Sequence, residues 1–123
     1  MPLKDFYKLI SLNSTGDQTY VAIIDVNAAH EVFKGHFPGN PVMPGVCMMQ
    51  IVKEITQQAV NATLTLKNAL NVKFMAVINP DVTPQLRLDL EFIQTDDNQI
   101  KVKNTTYFND TIALKLTCVY VKK

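Results

Sequence analysis

Residues 35–50, GHFPGNPVMPGVCMMQ, constrain the fold of this chain more than any other segment. They contain three glycines and three prolines and then continue without a break into an apolar stretch. Glycine permits positive φ and close approach of the backbone, whereas proline fixes φ and removes an N–H donor. We therefore predict a rigid turn that leads directly into a helix. Such a turn can hold a ring and several backbone N–H groups in place, as a site that grips a carbonyl and moves a proton requires.

The helix after this turn is predicted to begin at Pro44 or Gly45 and to end near Val60. Apolar residues recur at helical spacing and form one stripe, which consists of Met48, Ile51, Val52, Ile55 and Ala59. A polar stripe lies beside it and consists of Gln50, Lys53, Glu54 and Gln57. A helix of about sixteen residues is about 24 Å long, so this one can cover one face of a sheet.

Most of the remaining chain has the pattern of antiparallel strands. Leucines alternate with charged residues over 86–92, as in a strand that is buried on one face. Turn-forming clusters at 13–17, 80–84, 96–98 and 109–110 separate the candidates. The predicted strands are 19–26, 70–78, 86–92, 100–108 and 111–121. One helix followed by long strands joined by short turns predicts an α+β fold.

Composition and charge argue against several kinds of function. Of 123 residues, 47% are hydrophobic and 19% are charged, so we expect one globular domain over residues 1–123. The net charge of +1 does not favour nucleic acid. No apolar run reaches the roughly 18 residues of a membrane span, and the N-terminus does not resemble a signal peptide. The two cysteines, Cys47 and Cys118, form no disulfide framework, which predicts reduced thiols in the cytoplasm. Neither a metal nor another cofactor is predicted, since no ligand spacing or phosphate-binding motif occurs.

Residues 36–45, HFPGNPVMPG, followed by a helix, closely resemble the active-site segment of the 3-hydroxyacyl-[acyl-carrier-protein] dehydratases. The motif is long and has few neutral positions, and the resemblance extends over most of the chain. It implies the hotdog fold, in which a curled antiparallel sheet wraps around one long central helix. It also implies a lyase that dehydrates acyl thioesters in fatty-acid or related acyl-chain biosynthesis.

The resemblance assigns roles to residues of this motif. His36 would be the catalytic base, for which imidazole is suited because it titrates near neutral pH. The N–H of Gly45 would stabilise the thioester oxygen at the helix start, where the helix dipole favours negative charge. The carbonyl of Val42 would orient the imidazole. Alternatively, the histidine and the glycine serve only the turn. The expected substrate-binding residues are Phe37, Val42, Pro44, Gly45 and Val46.

One residue departs from the family pattern. Fourteen residues after the histidine the family has Glu or Asp as its acid, and this chain has Gln50. An amide can donate a hydrogen bond to a substrate hydroxyl but cannot act as a general acid. The family often has Gln four residues further on, where this chain has Glu54. Because positions i and i+4 share a helix face, Glu54 is a third catalytic candidate that would act through Gln50 or a water. Alternatively, Glu54 is a solvated residue paired with Lys53 or another lysine.

The resemblance also predicts partners and leaves alternatives. It implies a homodimer in which the histidine of one chain faces the acid position of the other. A trimer of such dimers is also consistent with the resemblance. An acyl carrier protein would deliver the substrate to a patch drawn from Lys34, Lys53, Lys67, Lys73, Lys101 and Lys103. The first alternative function is a non-catalytic acyl-thioester-binding module or pseudo-enzyme subunit, which Gln50 favours. The second is a hotdog acyl thioesterase.

Overall fold

The computed structural model describes residues 4–34, 42–96 and 98–123. These residues form six strands and two helices, which we number in chain order: β1 (Tyr7–Ser14), β2 (Thr19–Val26), α1 (Glu31–Lys34), α2 (Gly45–Val60), β3 (Leu64–Phe74), β4 (Gln85–Asp96), β5 (Gln99–Phe108) and β6 (Thr111–Lys122).

The strands form one antiparallel sheet in the order β1-β2-β4-β5-β6-β3. Its register brings the apolar side chains of neighbouring strands together on one face. Ala22 and Ile24 of β2 lie opposite Leu88 and Leu86 of β4, and all four are fully buried. Burying such an aliphatic side chain contributes about 1.5–3 kcal/mol, so a slip of one residue, which reverses the faces, would be costly.

The sheet curls around α2. Met48, Ile51, Val52 and Ile55 are buried in the same core as the inner faces of β2, β4, β5 and β6. Both edge strands also reach the polar stripe of the helix. The hydroxyl of Tyr7 in β1 donates to Glu54, and the N–H of Leu64 in β3 donates to Oε1 of Gln57. The helix therefore lies between the two edges of the sheet.

The ends of α2 have simple local causes. Pro44 precedes the helix as its N-cap residue, with φ of −66° and ψ of 140°. The C-cap residue is Asn61, with φ of 53°, a left-handed conformation that asparagine tolerates better than most residues. Its N–H donates to the carbonyl of Gln57 and closes the last turn.

Several sequence predictions are confirmed. The helix begins at Gly45 and ends at Val60, and the strand Thr19–Val26 has the predicted bounds. The last three predicted strands are present as β4, β5 and β6; β5 and β6 are each one residue longer than predicted, whereas β4 continues past position 92 to Asp96. Strong periodicity of buried side chains explains these successes.

The predicted strand 70–78 is wrong in its bounds, because β3 runs from Leu64 to Phe74. All residues of β3 after Leu64 are exposed, and the pairing with β6 contains two irregularities, so the strand has no alternating pattern. It ends where Met75 and Ala76 both direct their N–H groups to the carbonyl of Ala113, at 2.8 and 3.3 Å.

The strand β1 was not predicted. A register shift lies between Leu9 and Ser11, so the pattern of buried and exposed residues changes phase within the strand. A bulge of this kind places neighbouring residues out of alternation, and no period of two remains to be detected.

Candidate active site

One cavity lies at the start of α2 and contains Gly45. It has a volume of about 350 Å³ and is mostly apolar. Val42 and Gly45 line it, together with Phe74 at the end of β3. The Phe74 ring lies so close to Gly45 that a Cβ at this position would be 2.5 Å from Cζ of the ring. A side chain at position 45 would therefore have to displace this exposed ring.

The local sequence leaves backbone donors at this helix start. The carbonyl of Pro44 accepts from the N–H groups of Cys47 and Met48, at 3.1 and 3.3 Å. The N–H groups of the first turn have no acceptor within a helix, and the first of them belongs to Gly45 because Pro44 has none. The arrangement can stabilise negative charge on a ligand oxygen.

The other residues of the motif are placed as follows. Val42 and Gly45 share the cavity, and Pro44 caps the helix beside it. Val46 is 70% exposed and points to a different cavity. His36 and Phe37 lie outside the described residues, so their predicted roles remain predictions.

The second histidine of the chain has a structural role. The Nδ1 of His30 accepts from the N–H of Val32 at 3.1 Å, and its Nε2 lies 3.0 Å from the carbonyl of Lys4. Both ring nitrogens are therefore engaged by backbone groups. The ring also packs edge-on against Phe6, with centroids 5.1 Å apart.

Gln50 and Glu54 contact each other one turn apart on α2. Nε2 of Gln50 donates to Oε2 of Glu54 at 2.9 Å. Oε1 of Glu54 accepts from the hydroxyl of Tyr7 at 2.8 Å. These two bonds tie Glu54 to its own helix and to β1.

Tyr7 is the site residue that sequence reasoning missed. Burial, then the hydrogen bond to Glu54, then the charge of Glu54 raise the pKa of Tyr7 above its ordinary value. The phenol therefore keeps its proton and remains a donor. The two residues are 47 positions apart in the chain, and no local spacing rule connects them.

Gly45 and Gln50 do not line the same cavity of one chain. Gln50 lines a cavity of about 220 Å³ with Val46, Lys53 and Leu66. Glu54 lines a third, more polar cavity with Gln57 and Gln58. Among the described residues, the start of α2 and position 50 therefore lie at separate cavities.

The thiols are packing groups. Cys47 and Cys118 are both buried, and burial raises the pKa of each thiol. A raised pKa lowers the fraction of reactive thiolate. Within residues 4–34, 42–96 and 98–123, no three potential metal ligands cluster.

Comparison with known proteins identifies the family. A family model described as ApeI-like, ApeI dehydratase, matches residues 12–113, which is most of the chain. The chain belongs to the ApeI-like dehydratase family. Membership confirms the resemblance drawn from the histidine-containing motif, and with it the lyase class.

Curated relatives and solved structures agree with this ApeI-like assignment. The 3-hydroxyacyl-[acyl-carrier-protein] dehydratase FabZ of Lactobacillus helveticus is 29% identical over 85% of this chain and 74% of its own length. The structure of the dehydratase heterocomplex ApeI:P from Xenorhabdus doucetiae covers 93% of this chain and 96% of that chain with a TM-score of 0.73 and 17% identity. A hypothetical thioesterase with coenzyme A from Streptococcus pneumoniae covers 95% and 85% with a TM-score of 0.67 and 11% identity. The two structures confirm the hotdog fold.

Within the described ranges, no helix of this ApeI-like chain is long and apolar enough to cross a bilayer.

Proposed function

We propose that this chain is a 3-hydroxyacyl thioester dehydratase that acts on chains carried by an acyl carrier protein, in fatty-acid or related acyl-chain biosynthesis. The observation that carries the proposal is Gly45 at the start of α2 beside an apolar cavity of about 350 Å³, in a chain of the ApeI-like family. The name of the Lactobacillus helveticus relative supports the substrate class.

The reaction removes water from the acyl chain. His36 takes the proton from C2, and the N–H of Gly45 stabilises the charge that develops on the thioester oxygen. The bond from C3 to the hydroxyl breaks, a double bond forms between C2 and C3, and the hydroxyl leaves as water after gaining a proton. Gln50 orients the hydroxyl. Glu54, in contact with Gln50, is a carboxylate in the resting site; it takes up a proton from solvent and passes it to the leaving hydroxyl through a bridging water.

The engagement of His30 supports His36 as the base, because only two histidines occur in the chain. We expect His36→Asn to lower dehydration by about 10²–10⁴ with little change in the unfolding temperature. His30→Asn is the matched control and should lower the unfolding temperature while the folded enzyme still turns over. Loss of turnover in His30→Asn but not in His36→Asn would contradict the assignment of His36 as the base.

The site is built from two chains that pair through β3. Nearly all of β3 is exposed in the single chain, and its edge away from β6 pairs with no strand of the described residues. Large apolar side chains follow this edge, namely Leu66, Leu70, Val72 and Phe74. A long apolar edge strand is an association surface unless it is covered. A second copy on it would form a homodimer, and dimers could assemble further into a hexamer.

Mixing two impaired variants tests this shared site. His36→Asn and Gln50→Ala are each expected to lose turnover. If the two residues of one site come from different chains, a mixed dimer regains one intact site, and random exchange restores about a quarter of the wild-type rate. The absence of any recovery, with exchange verified by native mass spectrometry, would place both residues in a site within one chain.

An acyl carrier protein is the proposed donor of the substrate. Lys53 lines the cavity that contains Gln50, and Lys67 and Lys73 lie exposed on β3. These positive charges suit an acidic carrier. Charge reversal at Lys67, which does not line that cavity, should raise the KM for carrier-bound substrate but not for a free pantetheine thioester.

A second candidate is a subunit that binds acyl thioesters and lacks its own proton donor, which Gln50 favours. The structurally similar ApeI:P protein is described as a heterocomplex, which supports pairing with a chain that carries the missing carboxylate. Incubation with a 3-hydroxyacyl thioester on carrier protein separates the functions. Enoyl product supports the dehydratase. Acyl binding without a product supports the subunit, and release of free thiol supports the thioesterase.

A further inference from the structure

Tyr7 connects the edge strand β1 to the polar stripe of α2. Its hydroxyl donates to one oxygen of Glu54 at 2.8 Å, and the amide of Gln50 donates to the other at 2.9 Å. The three side chains therefore form a short chain of hydrogen bonds that ends at Gln50. All three are partly buried, which makes each bond stronger than it would be in open solvent.

This chain of bonds determines which way the amide of Gln50 points. A carboxylate oxygen accepts hydrogen bonds and does not donate them. The NH₂ group of Gln50 must therefore face Glu54, and the carbonyl oxygen Oε1 is turned away from it. Gln50 also lines the cavity of about 220 Å³ that contains Lys53 and Leu66. Oε1 is then available to a ligand as an acceptor.

The proton on Tyr7 keeps this order in place. Because burial and the neighbouring Glu54 raise the pKa of Tyr7, its hydroxyl donates at every physiological pH. Tyr7 holds one oxygen of Glu54, so the carboxylate cannot rotate freely, and the second oxygen stays directed at Gln50. A glutamine without such a fixed acceptor could present either its oxygen or its NH₂ group.

We propose that Tyr7 is a positioning residue which, through Glu54, fixes Gln50 as a hydrogen-bond acceptor for the 3-hydroxyl of an acyl thioester. This inference rests on the proposed function and deepens it. It also revises the expectation that Gln50 donates to that hydroxyl. An acceptor favours a chain that carries a hydroxyl at C3 over one that does not. Tyr7 thereby contributes to substrate specificity without touching the substrate.

Two probes that differ only in the hydroxyl test the proposal. The dissociation constants of a 3-hydroxyacyl and a saturated acyl pantetheine thioester of equal length are measured by calorimetry. Wild type should prefer the hydroxylated probe. Tyr7→Phe should lower that preference about 3- to 10-fold, through weaker binding of the hydroxylated probe alone. The matched control is Tyr20→Phe. Tyr20 is a half-buried tyrosine of β2 that packs on Phe92 of β4, and its substitution should leave the preference unchanged.

A second variant and a second readout keep the test independent of stability. Glu54→Gln lets the amide of Gln50 turn and should reduce the preference in the same way. In ¹⁵N-labelled protein, the side-chain NH₂ signals of Gln50, identified by their loss in Gln50→Leu, should shift in Tyr7→Phe and not in Tyr20→Phe. This readout needs no ligand.

The outcomes are distinct. Equal weakening of both probes in Tyr7→Phe would mean a merely structural role and would overturn the proposal. A wild type that binds both probes without preference would overturn it as well, although the proposed acyl-binding function would stand. If wild type binds neither probe, the proposed function fails and this inference fails with it.

Discussion

Exchanging the side chains of Gln50 and Glu54 tests the structure more sharply than restoring the family acid alone. Nε2 of Gln50 lies 2.9 Å from Oε2 of Glu54. If Gln50→Glu placed a carboxylate oxygen at the position of that nitrogen, the two charges would repel by about 6 kcal/mol at an effective dielectric constant of about 20. The pair avoids this cost by moving apart or by sharing a proton. Either result takes the new acid away from its task.

The double variant Gln50→Glu/Glu54→Gln avoids this repulsion. It has the same net charge as the wild type and keeps one amide–carboxylate hydrogen bond with donor and acceptor reversed. The amide oxygen at position 54 can still accept from Tyr7. The carboxyl at position 50 then occupies the family position of the proton donor. We expect kcat/KM for dehydration to rise about 10²–10⁴-fold over wild type, and the single variant Gln50→Glu to gain much less.

The assay is the initial rate of enoyl formation from a 3-hydroxyacyl thioester on carrier protein. It compares wild type, both single variants and the exchange, with the unfolding temperature of each. Glu54→Gln is the matched control and should not gain activity. If the exchange folds as wild type does and is no faster, a carboxyl at position 50 does not reach the hydroxyl. If Gln50→Glu alone equals the exchange, the coupling inferred from the 2.9 Å contact is wrong.

Three further predictions follow from burial and contact. Gly45→Ala adds a Cβ 2.5 Å from Cζ of Phe74 and should displace that exposed ring. Denaturation should show a loss of about 1 kcal/mol in unfolding free energy, and rate measurements should show at least a tenfold loss of kcat/KM. Ile51→Ala removes a fully buried side chain and should cost about 2–5 kcal/mol in chemical denaturation, whereas Val82→Ala at an exposed position should cost less than about 0.5 kcal/mol. Burial, followed by the charge of Cys118, raises the pKa of Tyr120. The folded state therefore holds this proton more tightly, so the stability it contributes is complete below about pH 10 and is lost as the pH rises towards the raised pKa. Denaturation at about pH 8 and about pH 11 should show a smaller fall in Tyr120→Phe than in wild type.

The sequence predicted those parts of the fold in which one face of an element is buried. The helix Gly45–Val60 and the strand Thr19–Val26 have regular patterns of buried side chains; the strand has the predicted bounds, and the helix begins at one of its two predicted starts and ends where expected. The strand Leu64–Phe74 was placed wrongly because its side chains are exposed on both faces of the single chain. Because no residue of this strand after Leu64 is buried, the periodicity of the core gives no information about where the strand begins or ends.

In the candidate site, too, local sequence patterns predicted some residues and missed another. A motif in one continuous segment placed Val42, Pro44 and Gly45 at the start of the helix beside one cavity. Helical spacing correctly paired Gln50 with Glu54. Tyr7 could not be found in this way, since its contact depends on how far the curled sheet brings its first strand towards the helix. That distance is set by tertiary packing, and no local pattern encodes it.

In the natural sequence the carboxylate is at position 54 and the amide at position 50, and these two positions have different surroundings. Glu54 lines a polar cavity with Gln57, Gln58 and Asn61, whereas Gln50 lines a separate one with Val46, Met49 and Leu66. The family pattern would place the carboxylate in the second, more apolar cavity, and this chain places a neutral amide there. An apolar cavity raises the pKa of a carboxylic acid and so suits a proton donor, whereas an amide in the same place binds a hydroxyl at no cost of burying charge. We therefore propose that Gln50 at this position binds and orients the substrate hydroxyl, while the carboxylate at position 54 accepts the hydrogen bond from Tyr7.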